Sequence, residues 1–451
     1  MGKDKFESHK IRDPIHGFCC LSELERNIID SPEFQRLRDI KQLWPVNLIY
    51  PGAVHTRFEH SIGVCHIAGQ IVKNIGLSEE EQQTIRLTAL LHDIGHGPFS
   101  HVSEDAVMEL KADRNLKISE IYSNEREKQL EKSDDVKLKK HESVSIDTIK
   151  EILQRFQFHN VDEIINLIKK TGDTSFCQLD SIISGPLDAD KMDYLLRDSY
   201  YCGVEYGKYD LKRLINSFSY KGKNYKREII VEDDDVNAIE QFALARYYLY
   251  QQVTTHKTTF KAERLFSRAI KVGVLEGLPE VCKYYNGNAS WIDIRDSDIF
   301  NWIKLYKGSD FSKVLDQLLN SRRIPKIIFE MNIEKLKKAN SMTYKEIETL
   351  VSKELNLNDK SQVIACFHKD NDLIKEDKIN QITTRKNKKL EFISKLLQVI
   401  TESNIDKKKI SKLSILISHD DWYLKYGSLE EKKKDKDQRY LKDKKLLSRI
   451  L

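Results

Sequence analysis

Two short segments constrain this chain more than anything else in it: His55-Thr-Arg57-Phe-Glu-His60 and His92-Asp93-Ile-Gly-His96-Gly-Pro-Phe-Ser-His101. Both adjoin apolar stretches with helical spacing, so imidazoles and carboxylates ride on helices that must also be buried. A fold seldom crowds such groups together without a metal ion to hold. The adjacent His92-Asp93 pair sets a nitrogen ligand beside an oxygen ligand, which suits a divalent ion such as iron, manganese, nickel or magnesium. His60, from an earlier helix, is a third ligand, and a fourth is wanted. The best candidate is Asp190, within Leu187-Asp-Ala-Asp190-Lys191-Met-Asp193-Tyr194-Leu-Leu-Arg197-Asp198. No Pro or Gly interrupts this stretch, so it is expected to be helical. Asp190, Tyr194, Arg197 and Asp198 would then share one face and form the wall of a charged pocket.

Composition permits such a fold and narrows the rest. The 451 residues suffice for one large or two average domains, and 40% hydrophobic with 32% charged content fits a soluble, well-packed protein. A formal charge of +5 is small for this length and does not call for a nucleic-acid partner. The seven cysteines are scattered, odd in number and without a Cys-x-x-Cys pair, which fits a reducing compartment. The N-terminus has no apolar signal segment and no run reaches membrane-spanning length, so a cytoplasmic location is expected.

Periodicity and punctuation predict helices over 30–43, 58–75, 80–93, 141–156 and 161–170, the first with Ser31 as N-cap and Pro32 at its first position. Residues 111–140, highly charged and poor in large apolar side chains, read as a surface insertion. The Lys-Gly-Lys-Asn centre of 216–232 suggests a β-hairpin. One long helix is expected from Val236 to Glu276. Beyond it, amphipathic stretches alternate with Lys/Glu-rich linkers. Trp291-Ile-Asp-Ile and Ile415-Leu-Ile are candidate strands, and the Lys- and Asp-dense tail at 430–445 reads as a solvated helix or disorder. The expected architecture is mainly α: a helical core with a small hairpin over 1–275, then a charged helical C-terminal lobe over 276–451.

Taken in order, these motifs resemble the HD-domain deoxynucleoside triphosphate triphosphohydrolases, nearest the branch that also carries a sterile-alpha motif. The resemblance runs through Asp13-Pro-Ile-His-Gly17, Ile29-Asp-Ser-Pro-Glu-Phe-Gln35-Arg-Leu-Arg38, Gln42-Leu43, both histidine motifs, Lys140-His141-Glu142 and the Asp190 helix, with a weaker match from Arg246 to Lys257. It implies an HD-type helical core holding an ion on His60, His92, Asp93 and Asp190. The ion would acidify a bound water for attack at the α-phosphate, releasing nucleoside and inorganic triphosphate. His96, His101 and His141 would surround the phosphates, with His101 the better general acid. Arg57 and Lys191, beside the ligands, and Arg246 would balance phosphate charge. Gln42, Leu43, Tyr194 and Asp198 would hold the sugar. Asp30, Gln35 and Arg38 match positions that bind an activating guanine nucleotide, which implies a homo-oligomer, dimer or tetramer.

The chain departs from the family at Arg12, where this branch carries Asn. It departs again at Trp44-Pro45, which replaces a glycine-rich stretch, and at Thr254, which replaces a tyrosine that helps exclude a 2′-hydroxyl. Two other activities fit the same motifs: an HD-domain phosphodiesterase or nuclease, and a ribonucleoside triphosphate hydrolase. A non-catalytic module would not need the intact ligand set. His55, His66 and His256 are expected to be structural.

Overall fold

The computed structural model describes residues 6, 8–103, 141–169, 179–221, 228–285, 291–332, 342, 344–357, 363–369, 411–417 and 433–450, so the insertion expected at 111–140 lies outside the described residues. The chain opens with an antiparallel hairpin, β1 (His9–Asp13) and β2 (Gly17–Leu21). The Asp13 carboxylate closes its turn by accepting from the amides of Ile15 and His16 at 2.8 and 2.9 Å. Asp13 and His16 are thereby placed beside the core rather than at a loose terminus.

Helices α1 (Glu23–Ile29), α2 (Pro32–Gln35), α3 (Arg57–Asn74) and α4 (Glu79–Leu91) follow. Capping boxes start three of them, pairing Ser22 with Glu25, Thr56 with Glu59 and Ser78 with Glu81. Each box satisfies otherwise orphaned amides at the helix start. The helix expected over 30–43 is corrected: α2 is a single turn that tightens into a 3-10 turn over Arg36–Asp39. Phe34, Leu37 and Ile40, all fully buried, recur every third residue, which is the 3-10 repeat and not the α repeat. The chain then passes through a Lys41–Thr56 bridge into α3.

Helix α3 is buried on nearly every side. Phe58, Ile62 and Cys65 join Leu87, Leu90 and Leu91 of α4 in one cluster, which also takes Ile149, Ile152 and Leu153 from α5 (His141–Arg155) and Ile164 from α6 (Val161–Lys169). Val64, Ile67, Ala68 and Ile71 join Met192 and Leu195 of α7 (Ala189–Cys202) in a second cluster. Gly63 makes the close α3–α7 approach possible, since a Cβ there would lie 1.9 Å from Asp193 Oδ1. Helix α7 starts on the Asp188 side chain and stops at Gly203 in the left-handed region, φ 68°.

Strands β3 (Phe218–Lys221) and β4 (Glu228–Val231) form the hairpin expected over 216–232. The single helix expected from Val236 to Glu276 is corrected to two, α8 (Val236–Leu249) and α9 (Lys257–Leu275), separated by a π turn over Tyr250–Thr254. His256 leaves helical space and caps α9, its Nδ1 accepting from the Thr258 amide at 3.1 Å. The break has a packing reason. Helix α8 belongs to the cluster that joins α3 to α7, whereas Ala262, Phe266, Ala269 and Ile270 of α9 belong to another.

That further core gathers α9 with α10 (Asp296–Leu305), α11 (Asp310–Leu319) and an antiparallel sheet ordered β5–β7–β6. The strands are β5 (Lys326–Asn332), β6 (Val363–Lys369) and β7 (Ser411–Ile417). Ile415 lies in β7 as expected, whereas Trp291–Asp293 is a 3-10 turn rather than a strand. Trp44 and Phe99 reach into this core from the N-terminal half. They stack on each other at 4.2 Å, and each meets Phe266 edge-on at 5.3 Å. The tail forms α12 (Lys433–Ile450). The architecture is mainly α with small antiparallel sheets, and among the described residues no helix is long and apolar enough to cross a membrane.

Candidate metal centre and surrounding pocket

Three elements converge on one point. His60 comes from the first turn of α3, His92 and Asp93 from the turn that ends α4, and Asp190 from the first turn of α7. The Nδ1 of His60 is held 2.8 Å from Asp193 Oδ2, and the Nδ1 of His92 is 2.8 Å from the Ala89 carbonyl oxygen. An Nδ1–H that donates to oxygen leaves Nε2 with its lone pair exposed. Both Nε2 atoms are buried and make no hydrogen bond. That of His60 lies 3.1 Å from Asp190 Oδ1 and 3.6 Å from Asp93 Oδ2. That of His92 lies 3.3 Å from Asp93 Oδ1 and 3.8 Å from Asp190 Oδ1. Ligand atoms arranged about an ion roughly 2.1 Å from each stand about this far apart.

Electrostatics favour the same assignment. Burial alone would lower the His60 imidazole, but the carboxylates of Asp190 and Asp193 outweigh it and raise it to about 10. His92 is raised likewise, with Asp93 and Asp190 prevailing over burial. Asp93 is held well below the ordinary carboxylate range against burial, chiefly by Arg57, then His92 and His96. Asp190 is also lowered against burial, by His60 and His92. Histidines that seek a proton beside carboxylates that refuse one mark a deficit of positive charge. A divalent cation on these donors removes it.

The groups around the cluster are also set. The Arg57 guanidinium pairs with Asp93 through Nη1 and donates from Nε to Ser100 Oγ at 2.9 Å. His96 is buried, with Nε2 3.4 Å from Asp93 Oδ1, and its ring meets that of His101 edge-on at 4.7 Å. A cavity of about 340 Å³ opens over the cluster. Arg57, His92, Asp93, His96, His101 and Asp190 line its charged part. Gln42, Leu43, Tyr194 and Asp198 line it as well, together with Tyr250 and Thr254 of the π turn.

Other expected residues lie elsewhere. Lys191 and Arg246 are not among the lining residues. The Lys191 ammonium pairs with Asp188, and both cations act from nearby on Tyr194, whose hydroxyl burial pushes up to about 12. Arg197, expected on the pocket face, is turned inward. Its Nε and Nη2 donate to Asp193 at 2.8 and 2.9 Å, and its Nη1 to Asp13 at 2.9 Å. His141 begins α5, and its side chain lies outside the described residues. Asp30, Gln35 and Arg38 meet at the α1–α2 junction and do not line the cavity. Gln35 donates to the Ile29 carbonyl at 2.8 Å, and Arg38 donates to Gln35 at 2.9 Å while covering the Phe58 ring at 3.5 Å. Asp30 is exposed.

Asp193 and His16 had no role assigned from the sequence, and His55 was read only as structural. Asp193 orients His60, and His16 Nε2 stands 2.6 Å from the other oxygen of Asp193. His55, expected to be merely structural, holds Asp198 at 2.8 Å through Nε2 and stacks on Tyr201. The available signal was the spacing of Asp193 and Arg197, four apart on one helix, which marks a buried pair as readily as a pocket wall.

The HD domain model matches residues 57–197, and the model of the HD associated region matches residues 209–415. An uncharacterized protein of Methanocaldococcus jannaschii is 36% identical over 260 residues, covering 58% of this chain and 49% of the relative. The deoxynucleoside triphosphate triphosphohydrolase SAMHD1 homolog of Dictyostelium discoideum is 32% identical over 285 residues, covering 57% of this chain and 48% of the relative. The chain thus spans about half the length of these curated relatives. Among solved structures, a phosphohydrolase from Bacteroides thetaiotaomicron superposes with a TM-score of 0.67 at 23% identity over 91% of this chain and 99% of that one, a likeness of fold.

Proposed function

We propose that this chain, with its HD domain over residues 57–197 and an HD associated region behind it, hydrolyses deoxynucleoside triphosphates at the α-phosphate to nucleoside and inorganic triphosphate. The observation that carries this reading is a single cavity in which His92, Asp93 and Asp190 stand together with Gln42, Tyr194 and Asp198. The first group is suited to an ion, the second to a sugar.

His60, His92, Asp93 and Asp190 would hold manganese, iron, magnesium or nickel, which when bound supplies a Lewis acid and a water acidified toward neutral pH. The chain's own groups do the rest. Arg57, beside Asp93, balances charge that builds on the phosphates, and Lys191 and Arg246 add positive potential near Tyr194. His101, with His96 at its edge, gives a proton to the departing 5′-oxygen. Gln42 and Asp198 take the 3′-hydroxyl, with Asp198 kept in place by His55, and Leu43 and Tyr194 pack on the sugar. The cavity's size is that of a small-molecule site.

The same reading gives the α1–α2 junction a regulatory role. The exposed Asp30 carboxylate would accept from the N1–H and amino group of guanine, beside Gln35 and Arg38, and so promote a homo-oligomer. Free thiols at Cys19, Cys20, Cys65, Cys202 and Cys282 suit a cytoplasmic setting.

The test is incubation with each of the eight common nucleoside triphosphates plus manganese, with products resolved by chromatography. Nucleoside and inorganic triphosphate are expected, with deoxynucleotides preferred. Release of pyrophosphate or orthophosphate rejects the reading.

A further inference from the structure

His96 and His101 stand on a segment with little regular structure to hold it. Within it, Phe99 and Ser100 both lie in the left-handed region, at φ 57° and 55°. Non-glycine residues stay there only when their surroundings impose it. Two charged side chains grip this segment, and both act on its backbone. Arg36, from the 3-10 turn after α2, donates through Nη2 to the carbonyls of Ile94 and His96 at 3.1 and 2.5 Å, and through Nη1 to that of Ile294 at 3.0 Å. Asp296, the first residue of α10, accepts from the Phe99 amide at 2.7 Å and from the Lys41 amide at 3.0 Å. One group thus takes carbonyls and the other takes amides. The Ser100 hydroxyl adds a tie by donating to the Lys41 carbonyl at 2.7 Å.

The partners of Asp296 are placed to matter. Lys41 directly precedes Gln42, and Phe99 lies between His96 and His101. The carboxylate is only 2% exposed and comes from the C-terminal half, where α10 packs in the core that Trp44 and Phe99 enter. A buried carboxyl must find hydrogen-bond partners, and both oxygens of this one go to backbone amides flanking the cavity.

We propose that Asp296 is a positioning residue for the active site: from the C-terminal lobe, it clamps the backbone that presents Gln42, His96 and His101 to the cavity. It is not among the residues that line the cavity. Only the kinetic part of its test rests on the hydrolase reading.

The experiment uses the full chain loaded with manganese, as wild type, Asp296→Ala and Asp296→Asn, and reads amide hydrogen exchange, bound metal and dGTP turnover. Asn keeps one acceptor oxygen and is the milder variant should Ala fail to fold. Loss of the two bonds should speed exchange over 38–44 and 96–103 while leaving α3 and α7 protected. Bound manganese should be retained, since its candidate ligands sit on other elements. Turnover should fall about ten- to hundredfold with KM shifted less than about threefold, and Asn should lie between Ala and wild type. The proposal is overturned if exchange in both segments is unchanged, if it rises equally across every helix, or if the segments loosen in an active enzyme with kcat preserved. Should the wild type hydrolyse no nucleoside triphosphate, the functional reading falls, and the exchange pattern still decides whether the clamp exists.

Discussion

Asp193 decides which nitrogen of His60 is left for an ion, and it does so while buried against Arg197 and His16. An imidazole fixed in this way is oriented and made more basic. Asp193→Asn should weaken manganese binding by about ten- to hundredfold in a chelator-competition titration, whereas unchanged affinity would show that His60 needs no such support. Asp296 makes a second residue-scale prediction, through pH. Burial, helped by Asp39 and opposed by the Lys41 and Phe99 amides and the Lys41 charge, raises its carboxyl from 3.8 to about 7. The folded state therefore holds a proton that the unfolded state releases. The stability this confers is complete below about pH 3.8 and is lost as pH rises through about 7. Urea titrations of wild type and Asp296→Asn should show wild type losing ground steadily between these limits, with the difference flat at higher pH. A pH-independent difference would place the carboxyl near its ordinary value. At this scale the gathering of His60, His92 and Asp93 was legible because His-Asp adjacency and spaced histidines on apolar helices have few other uses. Asp193 and Arg197 were not. At about 100° per residue, Arg197 falls only about 20° from Asp190, on the side opposite Tyr194 and Asp198, too small an angle for a sequence to resolve. Which side faces the cavity depends on where α3 packs.

Among elements, the π turn at Tyr250–Thr254 shapes the cavity most directly, since Tyr250 and Thr254 both line it. The resembled family has a tyrosine at the position of Thr254, and a threonine is too small to exclude a 2′-hydroxyl by bulk. The wild type should therefore prefer dATP over ATP by only about a hundredfold, and Thr254→Tyr should widen the gap. If the wild type ignores ribonucleotides altogether and the substitution changes nothing, Thr254 is no part of the gate. Elements with strong local signals were legible: α3, α4 and α7, and the antiparallel pair β3–β4. The break between α8 and α9 was not, because neither Pro nor Gly marks it and the demand comes from two cores that the chain must join. The shortening of α2 was missed for a related reason, since a three-residue apolar repeat looks helical until burial distinguishes 3-10 from α. Nor did the sequence betray that β6 and β7, some forty residues apart, pair side by side in one sheet with β5.

Over the whole molecule, Trp44 and Phe99 belong to the core that holds α9 and α10, yet Trp44 follows Leu43 and Phe99 lies between His96 and His101, which line the cavity. Changes in the C-terminal half should therefore reach the cavity, and the Asp296 variants measure how strongly. Assembly should respond as well. A guanine nucleotide titration should raise both light scattering and dNTP turnover, and Asp30→Ala should abolish the response, while flat signals in the wild type would remove the α1–α2 junction from regulation. Joint replacement of His92 and Asp93 by Ala should empty the metal site by elemental analysis yet keep the helical circular dichroism, and full turnover without metal would refute the ligand set. The central claim is attack by water at the α-phosphorus, and hydrolysis of a deoxynucleoside triphosphate in oxygen-18 water tests it most directly. The label is predicted in the inorganic triphosphate and absent from the nucleoside. Label in the nucleoside, or in released pyrophosphate or orthophosphate, would contradict it.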